Sequence, residues 1–247
     1  YFSAIQGGSV ASDNAAQLAR RGDSFRSGRG LPTLYDACWN SGVQIFGSRG
    51  VLTYALAFTK GAVSNPTASD NDGVQIVGRV GVQPTMGLKL GVSFALAPYL
   101  NERAAQNAAF PQGDRVEDYL QRLVGFDFEY ARGHFQLVAE VVRNEWQVPN
   151  LTVDALGNTG AYIEGKYELG PGFYYALRYG FVDFSAIEDG SGGRQDWDFD
   201  TRRVETGLGY YLSHQTRVKA LVQLNSWDKE AQDRRDHFFA LELVSAF

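Results

Sequence analysis

From about Ser41 to the carboxy-terminus the chain alternates apolar and polar residues with a period of two, and that constrains its fold more than any other feature. Period two is the signature of a strand with two different faces. The closing segment sets the pattern: Phe239, Leu241, Leu243 and Phe247 form an apolar row broken only by Ser245, with Glu242 in the middle of the other face. Upstream, Leu52, Tyr54, Leu56 and Phe58 stand against Thr53, Ala55, Ala57 and Thr59. Leu90, Val92 and Phe94 stand against Lys89, Gly91 and Ser93, and Val124, Phe126 and Phe128 against Gly125, Asp127 and Glu129. Phe173, Tyr175, Leu177 and Tyr179 are opposed by Arg178, and Val204, Thr206, Leu208 and Tyr210 by Arg203, Glu205, Gly207 and Gly209. Eleven strands read this way, and Tyr1 to about Gly8 is expected to add a twelfth.

The connections alternate too. Short turns fall at Ser48–Gly50, Pro84–Thr85, Arg132–Gly133, Gly170–Gly172 and His214–Gln215. Long polar loops fall at about 61–72, 100–117, 147–158, 186–200 and 229–236. Short turns at one end and long loops at the other are the asymmetry of outer-membrane barrels. The expected fold is therefore an all-β, transmembrane, antiparallel up-and-down β-barrel of about twelve strands. It forms a single domain over 1–247 with one long loop at about 9–40. Trp39, Trp146, Trp197 and Trp227 all fall at long-loop ends, where an interfacial aromatic girdle is expected. A soluble sandwich also alternates, but does not need a second face carrying Gly, Arg and Glu in mid-strand while the first is aromatic.

Composition narrows the function. No run free of Asp, Glu, Lys and Arg exceeds twelve residues, too short for a spanning helix. The formal net charge of -5 argues against nucleic acid as a partner. A single cysteine, Cys38, makes no internal disulfide and reads as a loop or rim residue. The chain lacks an initiating Met and a signal peptide, so it is expected to be processed or an excerpt.

Several stretches resemble the phosphate-selective porin O and P family and related bacterial porins. They are Leu52-Thr53-Tyr54-Ala55-Leu56-Ala57 followed by Asp70-Asn71-Asp72-Gly73, then Gly160-Ala161-Tyr162-Ile163-Glu164-Gly165-Lys166-Tyr167, Thr201 through Tyr210, and Phe238 through Leu243. The resemblance covers about 40–247 and rests on strand patterns rather than on a unique motif. It implies a trimeric, sixteen-stranded, solute-conducting barrel in the bacterial outer membrane. This chain has room for about twelve strands, so it is either the carboxy-terminal part of such a barrel or one that closes with fewer. The family's substrate lysines find no matching positions here, and no phosphate site is carried over.

By parity the polar face receives Arg79, Lys89, Lys166, Arg178, Arg203, Arg217 and Lys219, against Asp127, Glu129, Glu140, Glu164, Glu168, Glu205 and Glu242. Seven against seven gives no net selectivity. The fourteen read either as a pore lining that tunes ion passage or as cross-strand salt bridges that hold the wall. Arg20, Arg21, Arg26 and Arg29 would join the basic set if the 9–40 loop folded inward as a constriction; a surface loop is the plainer reading. Asp196, Asp198 and Asp200 begin like a calcium loop but lack its Gly and Glu, so a solvated acidic loop is favoured and no metal site is assigned. His134 and His214 fall at short turns and His237 at the opposite end, with no obvious nucleophile, so no catalytic residue is assigned. The expected function is passive diffusion of small hydrophilic solutes or ions without a cofactor. The expected partners are outer-membrane lipid, lipopolysaccharide and the solute. The other reading is a structural or adhesive barrel with a filled lumen and binding loops.

Overall fold

The computed structural model describes residues 40–63, 71–100, 102–105, 110–149, 155–188, 193–196, 200–227 and 234–245. The expected first strand, the four loop arginines, Cys38, Trp39, Trp197, Asp198 and Phe247 lie outside the described residues.

Eleven strands form one antiparallel sheet in sequence order, each hydrogen-bonded to its chain neighbours. They are β1 (Gly42–Arg49), β2 (Leu52–Thr59), β3 (Gln75–Thr85), β4 (Leu88–Pro98), β5 (Leu120–Arg132), β6 (Phe135–Trp146), β7 (Leu156–Gly170), β8 (Phe173–Phe184), β11 (Thr201–Tyr211), β12 (Thr216–Trp227) and β13 (Arg234–Ser245). Between β8 and β11 a separate hairpin pairs β9 (Ala186–Glu188) with β10 (Arg194–Asp196). Among the described residues β1 and β13 are the edges of the large sheet. β1 is open on both faces, with Val43 70% and Phe46 74% exposed.

The alternation places the two faces as expected. One face presents Leu52, Tyr54 and Phe58, then Val92, Phe94, Val124 and Phe126, and finally Leu208, Leu241 and Leu243, all exposed. A continuous exposed apolar belt of this extent marks a surface made to meet something other than water. Its lower margin is aromatic: Phe135, Tyr167, Phe173, Tyr175 and Tyr210 cluster beside the short turns, and the Phe173 and Tyr210 rings lie 4.3 Å apart.

Several boundaries differ from the sequence reading for local reasons. The turn after β3 falls at Met86–Gly87 rather than Pro84–Thr85, because Gly87 takes the left-handed conformation (φ 85°). Pro84 is absorbed instead at a register irregularity between Val82 and Thr85, where a missing N–H is tolerated. The first turn likewise falls one residue late, at Gly50–Val51, with Gly50 left-handed. β7 begins at Leu156, so Asn158 is a strand residue rather than part of the 147–158 loop. The 100–117 segment contains a helical turn, α1 (Glu102–Ala105), and a 3-10 turn at Val116–Asp118.

Candidate functional site

The register carries the polar face across the sheet in level rows. Tracing the paired residues puts all fourteen charges expected on the polar face on one side, opposite the apolar belt. One row runs Lys89, Glu129, Val138, Glu164, Arg178, Glu205, Gln223. The next, toward the long loops, runs Gly91, Asp127, Glu140, Tyr162, Gly180, Arg203, Asn225.

This face has two regions of different chemistry. Toward the long loops it is packed. Leu123, Val142 and Trp146 are buried almost completely, and Ala62, Tyr99 and Phe184 join them in one apolar cluster. Amides fill the gaps: Gln121 Nε2 donates to Asn144 Oδ1 at 2.8 Å, and Gln223 Nε2 and Arg203 Nε both donate to Asn225 Oδ1 at 3.0 Å. Trp146 thus corrects the sequence reading. Its 0% exposure and its place in the same strand as inward Val142 and Asn144 make it a core residue, not a girdle residue. Loop position alone could not reveal this; strand parity could have, since 146 shares parity with Glu140 and Asn144.

The loops over this region are tied to one another. Tyr99 donates its hydroxyl to the Gln147 carbonyl at 2.8 Å, and the Leu120 N–H donates to Gln147 Oε1 at 3.0 Å. Asn71 Nδ2 donates to the Leu100 carbonyl at 2.7 Å, and the Asp72 N–H donates to Glu117 at 3.1 Å. That backbone donor holds the Glu117 carboxyl below its ordinary range, whereas burial raises the Tyr99 hydroxyl. The Tyr119 hydroxyl, which donates to Asp114, is pushed up to about 12.

Toward the short turns the face is charged. Eleven of the fourteen charges stand within ion-pair distance of an opposite charge, on the same strand, the next or the next but one. Arg79 forms a two-pronged pair with Asp127, and Gly91 leaves the room for it, since a Cβ there would collide with both groups. Lys89 pairs with Glu129 at 3.2 Å and Lys219 with Glu242 at 2.6 Å. Arg178 lies between Glu164 and Glu205 at 3.9 and 3.8 Å, and its guanidinium stacks on Tyr162. Lys166 is 3.8 Å from Glu168 and sits over the Tyr174 ring. Glu140, Arg203 and Arg217 make no ion pair among the described residues, and each keeps a buried atom without a hydrogen bond.

A cavity of about 330 Å³ opens on this half of the face. Lys166, Arg178, Arg217, Lys219, Glu164 and Glu205 contribute to its lining, with Tyr174 and Tyr211. Gly209 makes room for the Tyr174 ring, which lies directly over it where a side chain would stand.

The three histidines are spread apart. His134 lies 3.6 Å from Glu168 in an exposed pair beside a short turn, a carboxylate the register brings in from the next strand. His214 is in the turn before β12, and exposed His237 pairs in register with Leu224. Among the described residues no three His, Cys, Asp or Glu side chains group as metal ligands.

No family model and no curated protein matches the sequence. Solved structures do. The chain is 12% identical to a porin refined at 1.8 Å resolution, with a TM-score of 0.56 over 88% of this chain and 68% of that one. It is 15% identical to a loop L8 deletion mutant of OmpT, an outer membrane protein of Vibrio cholerae, with a TM-score of 0.58 over 95% and 72%. The in-vitro folded, trimer form of that OmpT gives 14% and 0.57 over 96% and 70%. At these identities the likeness establishes the fold: an antiparallel up-and-down sheet of the outer-membrane β-barrel type.

Proposed function

We propose that this chain forms the wall of an outer-membrane porin through which small hydrophilic solutes or ions diffuse passively. One observation carries the reading: a single sheet exposes a continuous apolar belt on one face and gathers fourteen charges on the other. In water the belt would drive aggregation, whereas in a bilayer it is matched to hydrocarbon and the charged face turns to an aqueous lumen. The aromatic cluster beside the short turns fits a lipid headgroup boundary, which would set the short turns at the periplasmic side. Lipid and lipopolysaccharide are then the partners of the belt. A homotrimer is proposed from the trimer form of one similar structure.

The fourteen inward residues are proposed to line the pore. Their balance, and their pairing across strands, argue for weak overall ion selectivity and against a dedicated phosphate path, so only the porin architecture of the resemblance is taken up. Arg20, Arg21, Arg26 and Arg29 stay a proposed constriction. The single-domain reading, with a long loop at about 9–40, stands as part of this proposal.

A second reading draws on the packed half of the inner face, where Leu123, Val142 and Trp146 are closed off from solvent. A barrel filled there would work through its loops. Conductance of the refolded protein in a planar bilayer under a salt gradient decides between them. Stepwise openings with a small reversal potential are expected. Silence from protein shown to be folded would refute the porin reading and leave the filled barrel.

A further inference from the structure

The cavity on the charged half of the polar face is electrically two-ended. At one level Glu164, Arg178 and Glu205 stand side by side in a row, two carboxylates about one guanidinium, for a net charge of minus one. Toward the short turns Lys166 is matched by Glu168 and Lys219 by Glu242, while Arg217 has no carboxylate within ion-pair distance among the described residues, leaving that end with plus one.

The groups that set these two charges are short of hydrogen bonds. Neither carboxylate oxygen of buried Glu205 accepts one, and its nearest cation stands off at 3.8 Å; Arg217 Nε, also buried, donates none. Pairs away from the cavity differ: Arg79–Asp127 and Lys89–Glu129 are hydrogen-bonded directly. A buried ionic group short of hydrogen bonds is costly, so a site that keeps one at each end is suited to a ligand that supplies the missing donors and acceptor.

We propose that this cavity is a subsite for a zwitterion of dipeptide length, its ammonium group toward Glu205 and Glu164 and its carboxylate toward Arg217. Length follows from the register. Arg217 pairs with Tyr211, six residues along β11 from Glu205, or about 20 Å of strand. Both side chains line the same cavity from levels six residues apart, a separation that calls for a longer ligand than the adjacent charges of a single α-amino acid. The volume falls at the lower end of small-molecule sites and suits a dipeptide. Tyr174 and Tyr211 also line the cavity, with Lys166 over the Tyr174 ring and Tyr211 level with Arg217. The proposal rests on the porin reading for its setting, since it places a binding step on the wall of the proposed channel.

The test is direct binding to the full chain folded in detergent, by ligand-observed NMR titration. The probes are glycylglycine, glycine, propionate and propylammonium. Saturable binding of glycylglycine, about tenfold or more tighter than either single-charge probe and than glycine, is expected. Arg217→Gln and Glu205→Gln should each weaken it about tenfold, with Glu164→Gln as a milder substitution at the more exposed carboxylate. Propionate binding as tightly as glycylglycine would overturn the proposal in favour of a plain anion site. No saturable binding by folded wild type would overturn it outright, and needs no variant to be read. Bilayer conductance separates the two levels: channels without glycylglycine binding leave the porin and remove the subsite, and binding without channels does the reverse.

Discussion

Replacing Trp146 with Ala perturbs stability and the proposed path at once. The indole is 0% exposed and packs on the polar face with Leu123 and Val142. Truncating a buried Trp removes its transfer energy and leaves a cavity that the neighbours fill only in part, for a cost of about 3–5 kcal/mol. The neighbourhood argues for the upper part of that range, because Val142 and Asn144 flank it in the same strand at 0% exposure and leave little slack to collapse. A Trp in a lipid-facing girdle would lose less, and its removal would leave the lumen untouched. The assay is reversible urea unfolding in lipid vesicles followed by gel migration, with single-channel conductance of the same protein. A loss of about 3 kcal/mol or more, together with a larger unit conductance, is expected. A loss below about 1 kcal/mol with unchanged conductance would show that Trp146 does not plug the long-loop half of the inner face.

Three further outcomes follow from the same structure. Leu241→Arg, at a position 70% exposed in the middle of the apolar face of β13, should destabilise the lipid-inserted form by about 2–4 kcal/mol, read from the same unfolding assay. Gly91→Val should drive a side chain into the Arg79–Asp127 pair and cost about 1–3 kcal/mol, while Gly165→Val, where the nearest atom to an added Cβ is 4.0 Å away, should disturb no ion pair; the two melting curves compare them. Glu117 accepts the Asp72 N–H and its carboxyl is lowered, so the tie is fully present above the ordinary carboxylate range and is lost as pH falls through the lowered value. Proteolysis of the 60–74 loop should therefore accelerate only in acid, and Glu117→Gln should remove the pH step.

The face of each strand residue was legible in the sequence because period two is a geometric property of a strand. Once Phe239 and Leu241 face one way, Glu242 must face the other, and the ladder carries that parity across all eleven strands. The short-turn and long-loop asymmetry was legible for a similar reason, since two-residue turns demand Gly at left-handed positions such as Gly133 and Gly172. Partner choice was not legible. Arg79 meets Asp127 two strands away, over Gly91, and only the register of β3, β4 and β5 together brings them into adjacent rows within reach. Strand parity turns Trp146 inward, but how completely it is covered was not legible, because that depends on what the loops do above the strand. Ala62, Tyr99 and Leu100 come from two different loops, and no local pattern announces that they fold back over Leu123.

The equal count of inward charges looked uninformative in sequence, yet their placement is not uniform. Arg79–Asp127 and Lys89–Glu129 are joined by direct hydrogen bonds between β3, β4 and β5, where they act on the wall as cross-strand ties. Between β7 and β12 the pairs lengthen to 3.8–3.9 Å, a cavity opens, and Arg217 has no carboxylate within ion-pair distance among the described residues. Opposite charges held apart make a stronger local field than the same charges joined, because a joined pair cancels at close range. Net charge balance therefore sets a weak overall ion preference but does not say which solutes such a wall tells apart. A solute passing it would respond to the dipole between the Glu205 row and Arg217, which makes the β7–β12 side the place where discrimination between solutes should be sought.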